Sequence, residues 1–119
     1  MKNYQKMSVA QDARVELHDS LALTGAEVSI NHLPAGAGVP FVHSHKQNEE
    51  IYGILSGKGK VVIDGETVEL AAGDWIRIAP AVMRQFFAAE DSAISYICIQ
   101  VKENSLDSYT GDDAVLPQA

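Results

Sequence analysis

Short apolar stretches alternate with turn residues along most of the chain, and no long segment keeps the period of an amphipathic helix. Glycine, proline and Asp-Gly recur at short intervals, and the stretches between them are rich in Val, Ile, Tyr and Phe. Turn signals at this spacing are typical of an antiparallel sandwich or barrel. The pattern predicts about eight or nine strands, near the count of a jelly roll: 14–18, 26–33, 41–45, 50–55, the two arms of 60–70, 75–78, 84–88 and 93–101.

The 60–70 segment is the clearest hairpin, because Asp64-Gly65 suits a two-residue turn in which both central positions need positive φ. At 119 residues the chain is long enough for one core, so we expect a single domain over 1–119. Its barrel part covers about 26–101. The polar, acidic tail, 102–119, is expected to lie on the barrel as a loop or short helix with a frayed end, and 2–9 to form an edge strand exchanged with a neighbouring subunit.

A formal net charge of -7 makes nucleic acid and anionic membrane surfaces poor partners, which favours a small molecule or another protein. Cys98 is the only cysteine, so no intrachain disulfide is expected. The beginning of the chain lacks the apolar core of a signal peptide, and no run approaches the roughly 18 apolar residues of a spanning helix. These features predict a cytoplasmic protein.

The candidate chemistry lies in one segment, where His43 and His45 are separated by one residue and are followed by Glu49 and Glu50. In an extended chain the two imidazoles project to the same side and can reach one ion. A carboxylate from the next strand would complete a set of two His and one acid, which leaves open positions on metals such as Fe(II). Strand alternation alone does not choose between the two acids.

Gly38, the His43-Ser44-His45 pair, Glu50 and Gly57 follow the spacing of the first motif of the cupin superfamily, with the first glycine one residue closer than usual. The chain resembles that superfamily over roughly 26–101. The resemblance implies a small single-domain cupin, an antiparallel β-barrel or jelly roll. It also implies that Glu50 is the ligand and that Glu49 points toward solvent or a subunit contact.

The second cupin motif is altered. Gly73 and Pro80 are retained, but Val82 stands where the motif has glycine, Gln85 where it has the fourth His ligand, and Ala89 where it has Asn. Gln85 is therefore a candidate fourth ligand through its amide oxygen, or a hydrogen-bond partner of metal-bound water or substrate. The expected cofactor is a divalent ion, Fe, Mn, Ni or Zn, with Fe(II) favoured.

The 93–101 strand has Tyr96, Cys98 and Gln100 on one face; if that face points inward, Tyr96 and Cys98 line the pocket. Cys98 is equally interpretable as a small buried hydrophobic residue. Tyr52 and Phe87 are candidate pocket walls. We take Tyr52 and Tyr96 as the candidate catalytic residues, orienting the reaction at the metal.

Two further residues are ambiguous. His32 shares a strand pattern with Val28 and Ile30, so it either reaches the barrel interior or is a hydrogen-bonded structural residue. Arg77, within an apolar strand, either points outward to an acid or clamps a substrate carboxylate or phosphate.

The leading functional hypothesis is an enzyme of dioxygenase, isomerase or lyase type that acts on a small oxygenated molecule at a mononuclear divalent metal. The resemblance also implies a homodimer. The alternatives are a non-enzymatic small-molecule or metal-binding module and a structural dimer with an empty barrel. No helix-turn-helix pattern or basic stretch points to direct DNA binding.

Overall fold

The computed structural model describes residues 3–10 and 14–117, and these residues form seven strands and no helix. All strand pairings are antiparallel, so the predicted all-β antiparallel class is confirmed. The strands are β1 Val15–Glu16, β2 Glu27–Leu33, β3 Asn48–Ile63, β4 Glu66–Ala71, β5 Trp75–Ile78, β6 Arg84–Ala88 and β7 Ile94–Lys102.

β3 belongs to both halves of the barrel. Its first part pairs with β7 and β5 in a sheet that continues through β2 to β1. Its second part pairs with β4 and β6. Between the two parts the register with β7 shifts at 54–56, and Gly57 follows with φ 77°. A bulge bends a strand, so this point turns β3 from one sheet into the other.

Side chains from both sheets meet in one core that extends into the candidate site. β2 places Ser29 and Asn31 inward, while the alternate residues of the first sheet face outward. The buried apolar side chains are Tyr52, Ile54, Val61, Leu70, Ile78, Phe86, Ala88, Ile94, Tyr96 and Cys98. The core therefore surrounds a cavity instead of filling the barrel.

Two sequence-based strand assignments need correction. The predicted strand at 41–45 is a loop that makes one bridge, from His43 to Arg84. The segments 50–55 and 60–63 were predicted as separate strands because glycines lie between them, yet β3 runs through both. Gly53 and Gly59 permit close approach there, since a Cβ at Gly53 would strike the Trp75 ring and one at Gly59 the Phe87 carbonyl.

The two ends of the chain also differ from expectation. From 103 to 117 the tail forms turns without a helix, and Leu106, Tyr109, Val115 and Leu116 are exposed, so it does not pack on the barrel of this chain. The predicted edge strand at 2–9 is absent from its described part, 3–9, and Lys2 lies outside the described residues. No helix with the length and hydropathy to cross a membrane occurs in the part of the chain that the structure describes.

Gly57→Ala should destabilise the fold strongly, because Gly57 has positive φ and a Cβ atom there would overlap the backbone carbonyl of Ala93. Gly65→Ala has the same backbone constraint with open space around it, so it should cost only about 1–2 kcal/mol. Gly25→Ala, with neither constraint, is the neutral control. Urea unfolding of the three variants measures the free energy of unfolding that each substitution removes. Equal losses for Gly57→Ala and Gly65→Ala would contradict this explanation.

Candidate metal centre

His43 and His45 lie in the loop before β3, and backbone hydrogen bonds fix this loop to the β5–β6 turn. His43 and Arg84 exchange two of them, N to O at 3.1 Å and 2.9 Å, and the His45 carbonyl accepts one from Ala81 at 2.7 Å. The imidazole rings meet edge to face with centroids 5.2 Å apart. The loop thus holds both rings over the first residues of β3, although it is not a strand.

Glu50 projects from β3 into the interior and is only 3% exposed. Its Oε1 accepts hydrogen bonds from the Tyr52 hydroxyl and from Arg84 Nη1 at 2.6 Å, and its Oε2 accepts one from Cys98 Sγ at 3.3 Å. Burial alone would raise the pKa of Glu50, but these donors and the nearby His45 outweigh it and lower the pKa. Glu50 is therefore a buried carboxylate held in its charged form.

Arg84 is the cation that balances this carboxylate. Its side chain is fully buried, and besides Glu50 it donates from Nη2 to the Ala79 carbonyl at 2.9 Å. Its Nε has no hydrogen-bond partner among the described residues. A buried guanidinium and carboxylate depend on each other, since either one alone would be an uncompensated buried charge.

His43, His45 and Glu50 each offer a ligand atom, and these atoms lie within 4.8 Å of one another. His45 Nε2 is 3.1 Å from Glu50 Oε2 but makes no hydrogen bond, and His43 Nδ1 is likewise buried without a partner among the described residues. Burial lowers the pKa of His43, which favours the neutral imidazole that a metal needs. Two imidazoles and a carboxylate, with the buried Nε2 of His45 unpaired beside Glu50, fit a divalent ion.

A cavity of about 440 Å³ opens beside these three residues, within the usual size of a small-molecule site. Its walls combine aromatic rings with a few polar groups. The lining residues are Arg14, Ser29, Asn31, His32, Leu33, Gly38, Val39, Pro40, Phe41, His43, His45, Glu50, Tyr52, Phe86, Tyr96, Cys98 and Gln100.

The structure does not bring Gln85 to the triad. Its Nε2 donates to the Val39 carbonyl at 2.6 Å, and Gln85 is absent from the cavity lining. Along β6 the fully buried positions are Arg84, Phe86 and Ala88, so Gln85 lies on the other face. Ligation by Gln85 would require it to leave this bond and change sides, so the geometry gives the predicted fourth ligand no support.

The turn before β6 accounts for this offset. Positive φ, which a motif glycine commonly supplies, occurs at Ala81 with φ 68° and not at Val82. The turn is thus displaced by one residue from the motif count. Arg84, not Gln85, enters the interior from the start of β6.

The other sequence-based candidates divide between the cavity and the surface. Tyr52, Tyr96 and Cys98 line the cavity, whereas the phenylalanines that line it are Phe41 and Phe86 and not Phe87. Burial raises the pKa of Cys98 to about 12, with Glu50 adding to the rise, so its thiol stays protonated. Burial is also the main cause that raises the pKa of Tyr96 to about 12.

His32 and Arg77 take their structural roles at the surface or rim. His32 Nδ1 lies 2.9 Å from Ser95 Oγ, and the residue also lines the cavity. Arg77 points outward and pairs with Glu49 and Glu103, so it does not clamp a ligand inside the barrel. Glu49 is thereby directed away from the triad.

Sequence reasoning missed Arg84, Arg14 and Asn31. Arg84 could have been predicted, because strand alternation places it on the same face as the apolar Phe86 and Ala88. Arg14 and Asn31 are 17 positions apart in the sequence, so no local pattern indicates that they meet at the cavity.

The fold and the donor set define a cupin-type barrel with a candidate metal centre at one end of its cavity. The family model for the cupin domain matches residues 29–100, and the chain belongs to that family. The predicted family is thereby confirmed.

A cupin protein from Bacteroides fragilis, BF4112, has a solved structure with 77% sequence identity and a TM-score of 0.97, over 99% of this chain and 100% of that one. The DMSP lyase DddQ from Ruegeria pomeroyi is similar in fold, with 21% identity and a TM-score of 0.67 over 80% of this chain and 49% of the lyase. Uncharacterized protein MJ1618 from Methanocaldococcus jannaschii is 42% identical over 48 residues, 40% of this chain; the match spans 38% of that protein's length.

Arg84→Met should lower the free energy of unfolding of the metal-free protein by about 3–5 kcal/mol, because it leaves Glu50 buried without its countercharge. In a Glu50→Gln background the same substitution should cost clearly less. A double-mutant cycle by urea unfolding measures the coupling. Additive losses would show that Arg84 acts by packing alone.

Proposed function

We propose that this cupin binds one divalent metal ion through His43, His45 and Glu50 and acts as an enzyme on a small oxygenated molecule. The main support is the unpaired, buried Nε2 of His45 beside Glu50 Oε2 in the floor of a cavity. The other Glu50 oxygen is already occupied by Tyr52 and Arg84. Three protein ligands leave positions for substrate or water, an arrangement that favours Fe(II) among the candidate ions.

The metal would supply a Lewis acid or an oxygen-binding centre, as dioxygenases, isomerases and lyases use. Tyr52 holds the carboxylate orientation through its hydroxyl. Tyr96, which is buried and lines the cavity, orients the substrate. The rings of Tyr52, Phe86 and Tyr96 pack against one another in tilted and stacked pairs. They form an apolar wall that limits water around the substrate.

A second function is favoured by one observation, the direct ion pair between Arg84 and Glu50 at 2.6 Å. A guanidinium at this distance competes with a metal for the same carboxylate charge. If the ion pair keeps a metal out of the site, the cavity serves a non-enzymatic module that binds a small molecule.

Protein purified without a polyhistidine tag should bind about one divalent ion per chain, and His45→Ala or Glu50→Ala should weaken binding by more than about 100-fold, beyond the usual effect of a residue outside the coordination shell. Gln85→Ala should leave metal affinity unchanged, because its amide is engaged by Val39. Elemental analysis and calorimetric titration with Fe(II), Mn(II), Ni(II) and Zn(II) measure both.

Failure of wild-type protein to retain any of the four ions after reconstitution would rule out the metal-dependent enzyme and leave the binding module. A loss with Gln85→Ala equal to that with His45→Ala would restore Gln85 as the fourth ligand. Oxygen uptake with candidate substrates then separates dioxygenase chemistry from isomerase and lyase chemistry.

We also propose that two chains pair through the outer face of the first sheet. Val28, Ile30, Ile51, Ile97 and Ile99 form an apolar group there across β2, β7 and β3, and they are only half-buried and lie outside the core cluster. Isoleucines outside the core gain free energy when a second sheet covers them.

Ile99→Glu should convert the dimer to a monomer, because it places a charge in the centre of this apolar face. Thr67→Glu, on exposed β4, is the matched control and should remain dimeric. Light scattering after gel filtration gives both masses. A wild-type monomer, or a dimer unaffected by Ile99→Glu, would refute this interface.

A further inference from the structure

One wall of the cavity is a chain of polar groups that the metal centre does not use. Ser29 and Asn31 point inward from β2, and both are buried. Arg14 Nη1 donates to Asn31 Oδ1 at 2.5 Å, and Asn31 Nδ2 donates to Ser29 Oγ at 2.9 Å. These bonds hold the Arg14 guanidinium at the cavity wall.

Tyr96 completes this wall from the neighbouring strand. It is the register partner of Asn31 across β2 and β7, so the two inward side chains are adjacent. Tyr96 is 4% exposed and lines the cavity. A phenolic hydroxyl at a cavity wall can donate a hydrogen bond to a ligand in the cavity.

The charge distribution in the cavity is positive at this wall. Glu50, the only acid among the described residues of the lining, is neutralised by Arg84, which lies behind the lining. Arg14 keeps its charge largely uncompensated, since its contact to Glu16 is 3.8 Å long between side chains that are each more than half exposed. Burial raises the pKa of Tyr96, and the positive charge of Arg14 opposes that rise, so this charge acts at the cavity wall.

We infer that Arg14 and Tyr96 form a subsite for the carboxylate of a small organic acid, whose remaining oxygens face the His43, His45 and Glu50 end of the cavity. A guanidinium with free N–H groups and a phenolic hydroxyl are donors that suit a carboxylate. The inference rests on the proposed function insofar as the second end of the ligand meets the metal. It narrows the substrate from an oxygenated molecule to an anionic one.

Lactate and lactamide are the test probes, because they differ only in replacing a carboxylate by a neutral amide. Malate extends the acid series, and inorganic phosphate tests whether the subsite accepts any anion. Binding is followed in metal-loaded and metal-free protein by NMR, through the Arg14 Nε–H and Asn31 side-chain amide signals. Arg14→Gln removes the charge, Tyr96→Phe removes the hydroxyl, and Arg77→Gln is a control that removes an arginine outside the cavity.

We expect lactate or malate to bind at least tenfold more tightly than lactamide, with shifts at Arg14 and Asn31. Arg14→Gln should abolish this preference, Tyr96→Phe should weaken it, and Arg77→Gln should leave it unchanged. Equal binding of acid and amide, absence of saturable binding by either acid, an acid preference that survives Arg14→Gln, or phosphate binding as tight as that of the acids would overturn the carboxylate assignment.

Metal content of the same samples separates the two proposals. An Arg14-dependent preference in protein that binds no metal supports the subsite and refutes the metal-dependent function. Stoichiometric metal in Arg14→Gln, with the preference for acids lost, supports both.

Discussion

The buried carboxylate of Glu50 is the constraint on which the site depends. An ionised group at 3% exposure is tolerated only when donors surround it, and Tyr52, Arg84 and Cys98 supply them from three strands. Tyr52 and Arg84 hold one carboxylate oxygen, while the other accepts the Cys98 thiol and lies 3.1 Å from His45 Nε2. The same interactions thus join β3, β6 and β7 and orient a candidate metal ligand.

The bent strand β3 connects the candidate site to the core of the second sheet. β3 contributes Glu50 and Tyr52 to the cavity before its bulge and Val61 to the second sheet's core after it. A change in the bend would alter the angle between the two sheets, and with it the distance between the triad and β6. Stability of the barrel and geometry of the site are therefore coupled through backbone positions that hold no ligand.

Much of this arrangement is predictable from sequence, since alternating apolar positions and turn residues gave most strands and the ligand spacing selected His43, His45 and Glu50. Two features could not be predicted from the sequence. Glycines within β3 look like turns, and only the tertiary contacts of Gly53 and Gly59 show that they serve close packing. Which residue of β6 points inward depends on the positive φ of Ala81. Alanine rarely adopts this conformation, so the sequence does not predict it.

The central claim is that His43, His45 and Glu50 hold a metal while Arg84 keeps its bond to the carboxylate. Anomalous diffraction from crystals of the metal-loaded protein, recorded at the absorption edge of the bound ion, tests it most directly. We expect one anomalous peak among the two imidazoles and Glu50, with Gln85 still bonded to Val39. A peak elsewhere, or none after loading with the candidate ions, would contradict it.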